Sequence, residues 1–463
     1  MAKVLLIDFG STYTKVTAVD LDEPRILGTA RALTTVDEGI EHGLEQAEVA
    51  LAKMTGALRY QHKLACSSAA GGLRMVAVGL VPELTVEAAR RAALGAGAKV
   101  IGAYGFMLTP EDVAEIVRLN PDLLILSGGT DGGDRATIIH NGRALAGSPL
   151  RAPVVVAGNR AAAPTVAEEL RQKGKTCYLV ENVLPEPGKL NIEPVQEAIR
   201  RIFLERIIEA KGLDRVLDYI DGVMMPTPAS VLAAACRLAE GDGSEQGFGE
   251  LVVVDVGGAT TDFHSVAYGL PRLPEVSLRG LPEPRVKRTV EGDLGMRYSA
   301  GSLMEVFGIE ALACQTGLSN NEVQAGVELR INNVSMIPAS PVEAALDGAL
   351  GFFAVKGATD RHAGVLETVS TPFGVSYIQT GKDLTAVGNV VGTGGVLAAS
   401  DRPLSILRGV LFDPGEPMRL KPQNPRFWLD RNYVLTTLGL LAKDWPGPAY
   451  RLLRDALQEV KED

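Results

Sequence analysis

The sequence predicts an α/β protein of two similar halves around a cleft, with a further α/β unit inserted in the first half. Three observations carry that prediction. An apolar strand ending in Asp, with a Gly two residues on, occurs over residues 5–14 and again over 252–261. The two aspartates, Asp8 and Asp255, stand 247 residues apart, far more than an uninterrupted half needs. Between them, residues 63–210 alternate short apolar runs with helical spacing, the pattern of a mainly parallel sheet covered by helices. At 463 residues the chain is too long for one small core.

The elements follow in order. Val4-Leu5-Leu6-Ile7 reads as a buried strand, residues 8–12 as a turn, and residues 15–19 as the returning strand, with a third strand over 25–32. Residues 39–57 have helical spacing, with Ile40, Leu44, Ala47, Leu51 and Met54 on one face. Strands over 63–66, 99–103, 122–126, 153–157 and 176–180 alternate with helices over 85–97, 110–119, 162–173 and 194–211. A small-residue helix follows Met225-Pro226, and 251–254 is the second buried strand. The region 271–291, rich in Pro and charge, reads as an excursion or loop, with the charge run 283–288 as a solvated face. Helices are expected over 299–330 and 342–357. A strand at 389–391 runs into Gly392-Thr393-Gly394-Gly395, 412–426 is a Pro-rich connection, and two helices over 431–443 and 447–460 finish the chain. The expected domains are 1–71, the first part of domain I; 72–215, the insertion; 216–245, a connecting helix returning to domain I; and 246–463, domain II with the C-terminal helices.

Composition narrows the function classes. The formal net charge of −10 disfavours general nucleic-acid binding, which needs a positive field. Cys66, Cys177, Cys236 and Cys314 are widely spaced, so no CxxC zinc or redox motif exists, and small buried or half-buried thiols in a reducing cytosol are expected. No leader is visible and no apolar run approaches a membrane span. The expectation is a cytoplasmic protein without membrane or nucleic-acid partners.

The repeated hairpin carries the chemistry. Gly permits positive φ and close backbone approach. Successive N–H groups in such a turn form an anion-binding nest, and hydroxyls add donors. A carboxylate at the strand end can hold Mg²⁺ through water, because magnesium dehydrates reluctantly. The candidate phosphate-binding residues are Gly10, Ser11, Thr12 and Thr14 on the first copy, and Gly257, Gly258, Ala259, Thr260 and Thr261 on the second. Asp8 and Asp255 are the candidate metal ligands, through water.

These residues resemble the phosphate-1 and phosphate-2 motifs of the actin, DnaK-type chaperone and sugar-kinase superfamily. The resemblance implies two actin-like (ribonuclease H-like) domains around an ATP cleft. It places a phosphate-contacting lysine at Lys15, and a connecting helix at Pro226-Thr227-Pro228-Ala229-Ser230 and onward. It puts an adenosine motif at residues 389–399, with Gly392, Thr393, Gly394 and Gly395, and a second connecting helix around Gly439. Further stretches, Leu126-Ser127-Gly128-Gly129-Thr130-Asp131-Gly132-Gly133-Asp134, Glu181-Asn182-Val183-Leu184-Pro185, Asn191-Ile192-Glu193-Pro194 and Gly381-Lys382-Asp383-Leu384-Thr385, resemble the MutL-type accessory proteins encoded beside glutamate mutase. These are unrelated to the mismatch-repair protein of that name. The implied function is an ATP-dependent reactivating chaperone, a slow ATPase, for an adenosylcobalamin-dependent mutase. Asp8, Asp255 or Asp262 would orient the attacking water, and the sequence leaves open which. The insertion is the expected partner surface, and a homodimer stays open. A small-molecule kinase and a polymerising actin homologue are the rival readings of the same fold.

Other features weigh less. Gly128–Asp134 reads either as a third phosphate or metal loop or as a tight βα connection. Asp360-Arg361-His362-Ala363-Gly364 is one residue short of a cobalamin-binding Asp-x-His-x-x-Gly loop. His362 is therefore read as a surface or locally bonded histidine, and direct cobalamin binding is not expected. Gly174-Lys175-Thr176 lacks the glycine a P-loop needs at position 169, so Lys175 reads as a solvated charge.

Overall fold

The computed structural model describes residues 2–10, 13–34, 39–68, 73–211, 216, 218–221, 223–371 and 374–461. Ser11, Thr12 and the expected boundaries at 71/72 and 215 lie outside these residues. The strands in chain order are β1 (Lys3–Phe9), β2 (Tyr13–Asp20), β3 (Arg25–Leu33), β4 (His62–Ser67), β5 (Arg74–Val78) and β6 (Lys99–Tyr104). Next come β7 (Leu123–Leu126), β8 (Val154–Val156), β9 (Cys177–Leu179), β10 (Val223–Pro226), β11 (Leu251–Val256) and β12 (Thr261–Val266). The last are β13 (Val276–Arg279), β14 (Val286–Glu291), β15 (Val365–Thr371), β16 (Gly374–Thr380), β17 (Asn389–Thr393), β18 (Arg426–Leu429) and β19 (Gln458–Val460).

Two sheets share one topology. The first runs β3-β2-β1-β4-β10, with β1, β2 and β3 antiparallel neighbours and β4 and β10 parallel to β1. The second runs β14-β12-β11-β17-β18 in the same pattern, with β19 added at its edge. This is the ribonuclease H-like strand order twice over, and it makes the fold actin-like. The central strands β1 and β11 are apolar and buried almost throughout because both faces of each sheet are covered.

A third sheet, β6-β5-β7-β8-β9, is parallel throughout and lies between β4 and β10 in sequence. Its core is continuous with that of the first sheet: Leu5, Ile7 and Phe9 share one buried cluster with Leu123, Ile125, Val155 and Ile199. Helix Thr227–Glu240 and the turn Leu435–Leu438 lie between the two ribonuclease H-like sheets, in a core that joins Leu6, Val231, Val253 and Leu438. They approach so closely that a Cβ on Gly439 would lie 2.0 Å from the Ser230 carbonyl oxygen.

Several expectations need correction. β4 joins the first sheet rather than opening the parallel series, and β5, which opens it, was not anticipated. Alternation alone shows that strands exist, not which strands pair. Helix Ala136–Ala146 was likewise missed. The segment 271–291 is not merely a loop, since it holds β13 and β14. The charge run 283–288 is not a solvated face: Glu283 and Arg288 side chains are 11% and 3% exposed, paired with Arg91 and Asp262. β18 begins where a Pro-rich connection was expected to end. The last residues form a short helix Leu435–Leu438, a 3₁₀ turn Gly439–Leu441, helix Pro446–Ala456 and β19, not two long helices. His362 ends helix Pro341–His362 and is fully buried, hydrogen-bonded to Ser265 and Thr289. Lys175 is half-buried and donates to the carbonyls of Ser148 and Leu150.

Candidate functional site

β1 brings Asp8 to its carboxyl end, and β2 returns with Lys15 directly opposite. Opposed residues on antiparallel strands share a face, so the two charges meet. Lys15 Nζ lies 3.2 Å from Asp8 Oδ2. Asp8 Oδ1 accepts from Thr227 Oγ1 at 2.8 Å and faces Cys66 Sγ at 3.6 Å. A buried carboxylate is tolerated because its oxygens are satisfied. Beside this carboxylate, burial pushes the Cys66 thiol up, which keeps it an uncharged packing group. The turn closes through Gly10 N–H donating to the Tyr13 carbonyl at 3.1 Å. A Cβ at Gly10 would lie 2.5 Å from that oxygen, so the closure requires glycine. Thr14 is buried and bonds Thr34 at 3.2 Å, and Thr34 donates to the Gly10 carbonyl. Thr14 therefore braces the turn from behind.

The second hairpin repeats this geometry. Gly257 N–H donates to the Thr260 carbonyl at 2.9 Å, and a Cβ at Gly257 would lie 2.8 Å from that oxygen. Asp255 takes the place of Asp8, but its cross-strand partner is Asp262 rather than a cation. Arg288 holds Asp262, with Nε 2.7 Å from Oδ1, and its Nη1 donates to the Leu94 and Ala98 carbonyls. Thr260 Oγ1 also donates to Asp262, at 3.3 Å. Thr261 turns inward and donates to the Leu294 carbonyl, so its hydroxyl does not face the turn. The carbonyls of Gly257 and Gly258 accept from Met296 and Arg297 N–H, and Ser299 Oγ donates to the Ala259 carbonyl.

Asp255 Oδ1 is buried and has no hydrogen-bond partner among the described residues. Burial first, then the Asp262 carboxylate, push the Asp255 pKa up to about 7, although Lys15 pulls the other way. Burial works against the charge on Lys15. Tyr433, Asp8 and Asp255 around it more than offset that and hold its pKa above the usual range. Lys15 is thus electrostatically coupled to both hairpins.

Residues 392–395 divide by environment. A Cβ on Gly392 would crowd Leu407 and Leu397, so this glycine serves packing. Thr393 Oγ1 donates to Asp430 at 2.9 Å. Gly394 has φ 108°, and a Cβ there would lie 2.4 Å from the Val256 carbonyl oxygen and 3.0 Å from Asp255 Oδ1. Gly395 faces open space. The Gly128–Asp134 loop is closed on itself. Asn159 Nδ2 donates to the Thr130 carbonyl and Asn182 Nδ2 to the Gly129 carbonyl, while Asp134 accepts from Thr137 at the next helix. That is the bonding of a tight βα connection.

Residues around the hairpins that sequence reasoning missed are Thr227, Asp430, Tyr433 and Arg288. Asp430 follows an apolar strand, Phe427-Trp428-Leu429, as Asp8 and Asp255 do, and that echo was the available signal. It is buried, and its carboxylate accepts from Val434 and Leu435 N–H.

Among the described residues no three His, Cys, Asp or Glu side chains converge as a closed metal cage. The unpartnered Asp255 oxygen is the kind of ligand that a magnesium ion carrying most of its own water would take. Asp8, whose oxygens are held by Lys15 and Thr227, would meet it only through water.

The sequence model of the "MutL protein" family matches residues 4–457. The "Protein MutL" of Clostridium tetanomorphum is 48% identical over 464 residues, covering 99% of this chain and all of that one. The chain belongs to the MutL protein family. Solved structures overlap it at low TM-scores. The nucleotide-free acetone carboxylase of ATP-dependent acetone carboxylation gives 0.41 at 14% identity, covering 95% of this chain and 70% of that one. The diol dehydratase-reactivating factor in nucleotide-free form gives 0.32 at 11% identity, covering 96% and 100%. The assignment of fold rests on the strand order and the family on the sequence match. No helix among the described residues is long and apolar enough to cross a membrane.

Proposed function

We propose that the chain is a cytoplasmic ATPase that binds ATP with Mg²⁺ between the two hairpins and uses that cycle to reactivate an adenosylcobalamin-dependent mutase. The observation that carries the ATP site is the pair of identically closed Gly turns with Lys15 coupled to both aspartates. The mutase partner rests on the MutL-type resemblance and on family membership.

In this reading the N–H groups of both turns and the Lys15 ammonium face the phosphates and offset charge that develops on them. The magnesium ion, when bound, neutralises phosphate charge, and Asp8 and Asp255 hold it through water. Asp262 is held by Arg288, so Asp255, with its unpartnered oxygen, is the better candidate to orient the attacking water. Helix Thr227–Glu240 crosses at Ser230 the chain turn at Gly439, and this crossing is where the halves would hinge. The motion would open the mutase enough to release damaged cofactor. The partner surface is assigned to the inserted sheet and its helices. This unit shares a core with the first sheet, so surface substitution on its helices, not deletion, is the proper test.

The experiment is recovery of a cobalamin mutase inactivated by damaged cofactor, with the purified protein, ATP and Mg²⁺, and Asp8→Ala as control. ATP-dependent recovery that Asp8→Ala abolishes is expected. ATP binding without recovery refutes the mutase role, and phosphate transfer to a small acid or sugar would assign a kinase instead.

A further inference from the structure

We infer that Tyr433 is the positioning residue of the site, its ring holding the Lys15 ammonium in place at the first hairpin. The inference deepens the proposed function and rests on it. Three observations meet at this side chain.

Tyr433 has φ 53°, in the left-handed region that a bulky residue adopts at a cost. Phe106 and Asn120 are the other non-glycine residues with positive φ among those described. Asn120 is explained as a helix C-cap, whereas Tyr433 ends no helix. The turn that imposes this conformation is also overdetermined. Tyr433 N–H donates to the Asp430 carbonyl at 3.1 Å, and the Asp430 carboxylate accepts from Val434 and Leu435 N–H at 2.9 Å each. Strain of this kind persists only where the surroundings enforce it.

The third observation says what the strain serves. Lys15 Nζ lies 3.5 Å from the centroid of the Tyr433 ring, well inside the range of a cation–π contact, with Asp8 at 3.2 Å. The ammonium is clamped between a carboxylate of its own hairpin and a ring from the segment after β18. A lysine stem has four rotatable carbons, and one carboxylate alone leaves it several rotamers. The ring removes that freedom and shields the charge from water. The contact also joins the first sheet to the second, so Tyr433 helps fix the distance between the two hairpins.

The test uses the full chain and measures ATP binding and turnover for wild type, Tyr433→Phe, Tyr433→Leu, Tyr433→Asn and Lys15→Met, with the Lys15→Met/Tyr433→Leu double variant. Tyr433→Leu should lower kcat roughly tenfold, with a smaller change in KM. Tyr433→Phe keeps the ring face and should restore most of the rate. In the Lys15→Met background, Tyr433→Leu should cause no further loss, because both substitutions remove one interaction. Tyr433→Asn tolerates the left-handed backbone, so it should raise Tm while showing the defect of Tyr433→Leu. It carries the test if Tyr433→Leu fails to fold. Equal rates for wild type and the Leu or Asn variant, or losses that multiply with Lys15→Met, would overturn the inference alone. A wild-type protein that does not bind ATP overturns the proposed function and this inference with it.

Discussion

The two hairpins share a backbone and differ in charge. In both, a Gly N–H closes onto a carbonyl three residues on, and in both a Cβ at that Gly would strike the same oxygen. In the first, the residue opposite the aspartate is Lys15; in the second it is Asp262. Asp8 is consequently satisfied, by Lys15 and Thr227, while Asp255 faces another carboxylate and keeps a buried oxygen without a partner. Backbone closure is set by glycine and strand register, and it survives a complete change of charge across the strands. The first hairpin is a finished ion pair, and the second keeps a buried carboxylate oxygen without a partner. Under the proposed function, a site built this way would take the phosphate chain at the Lys15 side and its metal ion at the Asp255 side.

That contrast can be broken at several points. The largest effect is expected at Arg288, which neutralises the second carboxylate pair. Arg288→Ala leaves the half-buried Asp262 opposite Asp255 without its cation and removes a donor from the Leu94 and Ala98 carbonyls. It should destabilise the fold by about 3–5 kcal/mol, measured by urea unfolding. A loss below about 1 kcal/mol would mean that water can replace the guanidinium.

Asp255→Asn sharpens the asymmetry. It removes the unpartnered charge, so it should weaken Mg²⁺·ATP binding by roughly 10- to 100-fold in calorimetry. Unlike Asp8→Ala, which strands Lys15 and Thr227, it should not lower the Tm of the ligand-free protein. Gly439→Ala attacks the crossing that sets the two hairpins face to face, since its Cβ meets the Ser230 carbonyl. About 1–3 kcal/mol of destabilisation is expected, again from denaturant unfolding.

The smallest effect concerns the ground behind the second hairpin. There β12 carries His264, buried with both ring nitrogens unpartnered among the described residues, and Ser265, which bonds His362 and Lys382. Burial lowers the Lys382 pKa to about 7, with Lys287 and Arg91 adding to the shift and Glu283 and Glu250 opposing it. The folded state therefore binds fewer protons than the unfolded chain between pH 7 and about 10.5. Stability from this group rises with pH across that window and is absent below it. The stability gap between wild type and Lys382→Met should move in favour of wild type from pH 7 to pH 9, read from Tm. A gap that is flat with pH would place the proton on Lys382 throughout.

How much was legible in the sequence follows from the range of each interaction. The hairpins could be read because strand, Asp and Gly lie within ten residues and the turn is local. Helix Ile40–Thr55 was legible for the same reason, with Ile40, Leu44, Ala47 and Leu51 buried on its 3.6-residue stripe, although Met54 is exposed. β14 was misread because Lys287 and Arg288 look like solvated charges until Glu283, Asp262 and the Leu94 and Ala98 carbonyls are brought to them by folding. Thr227 and Tyr433 reach the first hairpin from hundreds of residues away, and nothing local announces their partners. The hydroxyls of Thr14 and Thr261 match the phosphate pattern in sequence, but each turns inward, Thr14 to Thr34 and Thr261 to the Leu294 carbonyl.

The most direct test is a crystal structure with a non-hydrolysable ATP analogue and Mg²⁺. The phosphates should lie between the turns that begin at Gly10 and Gly257, with Lys15 on a phosphate oxygen and the ion's water on Asp255. Phosphates bound elsewhere, or an ordered analogue that leaves the Asp255 oxygen unpartnered, would contradict the account.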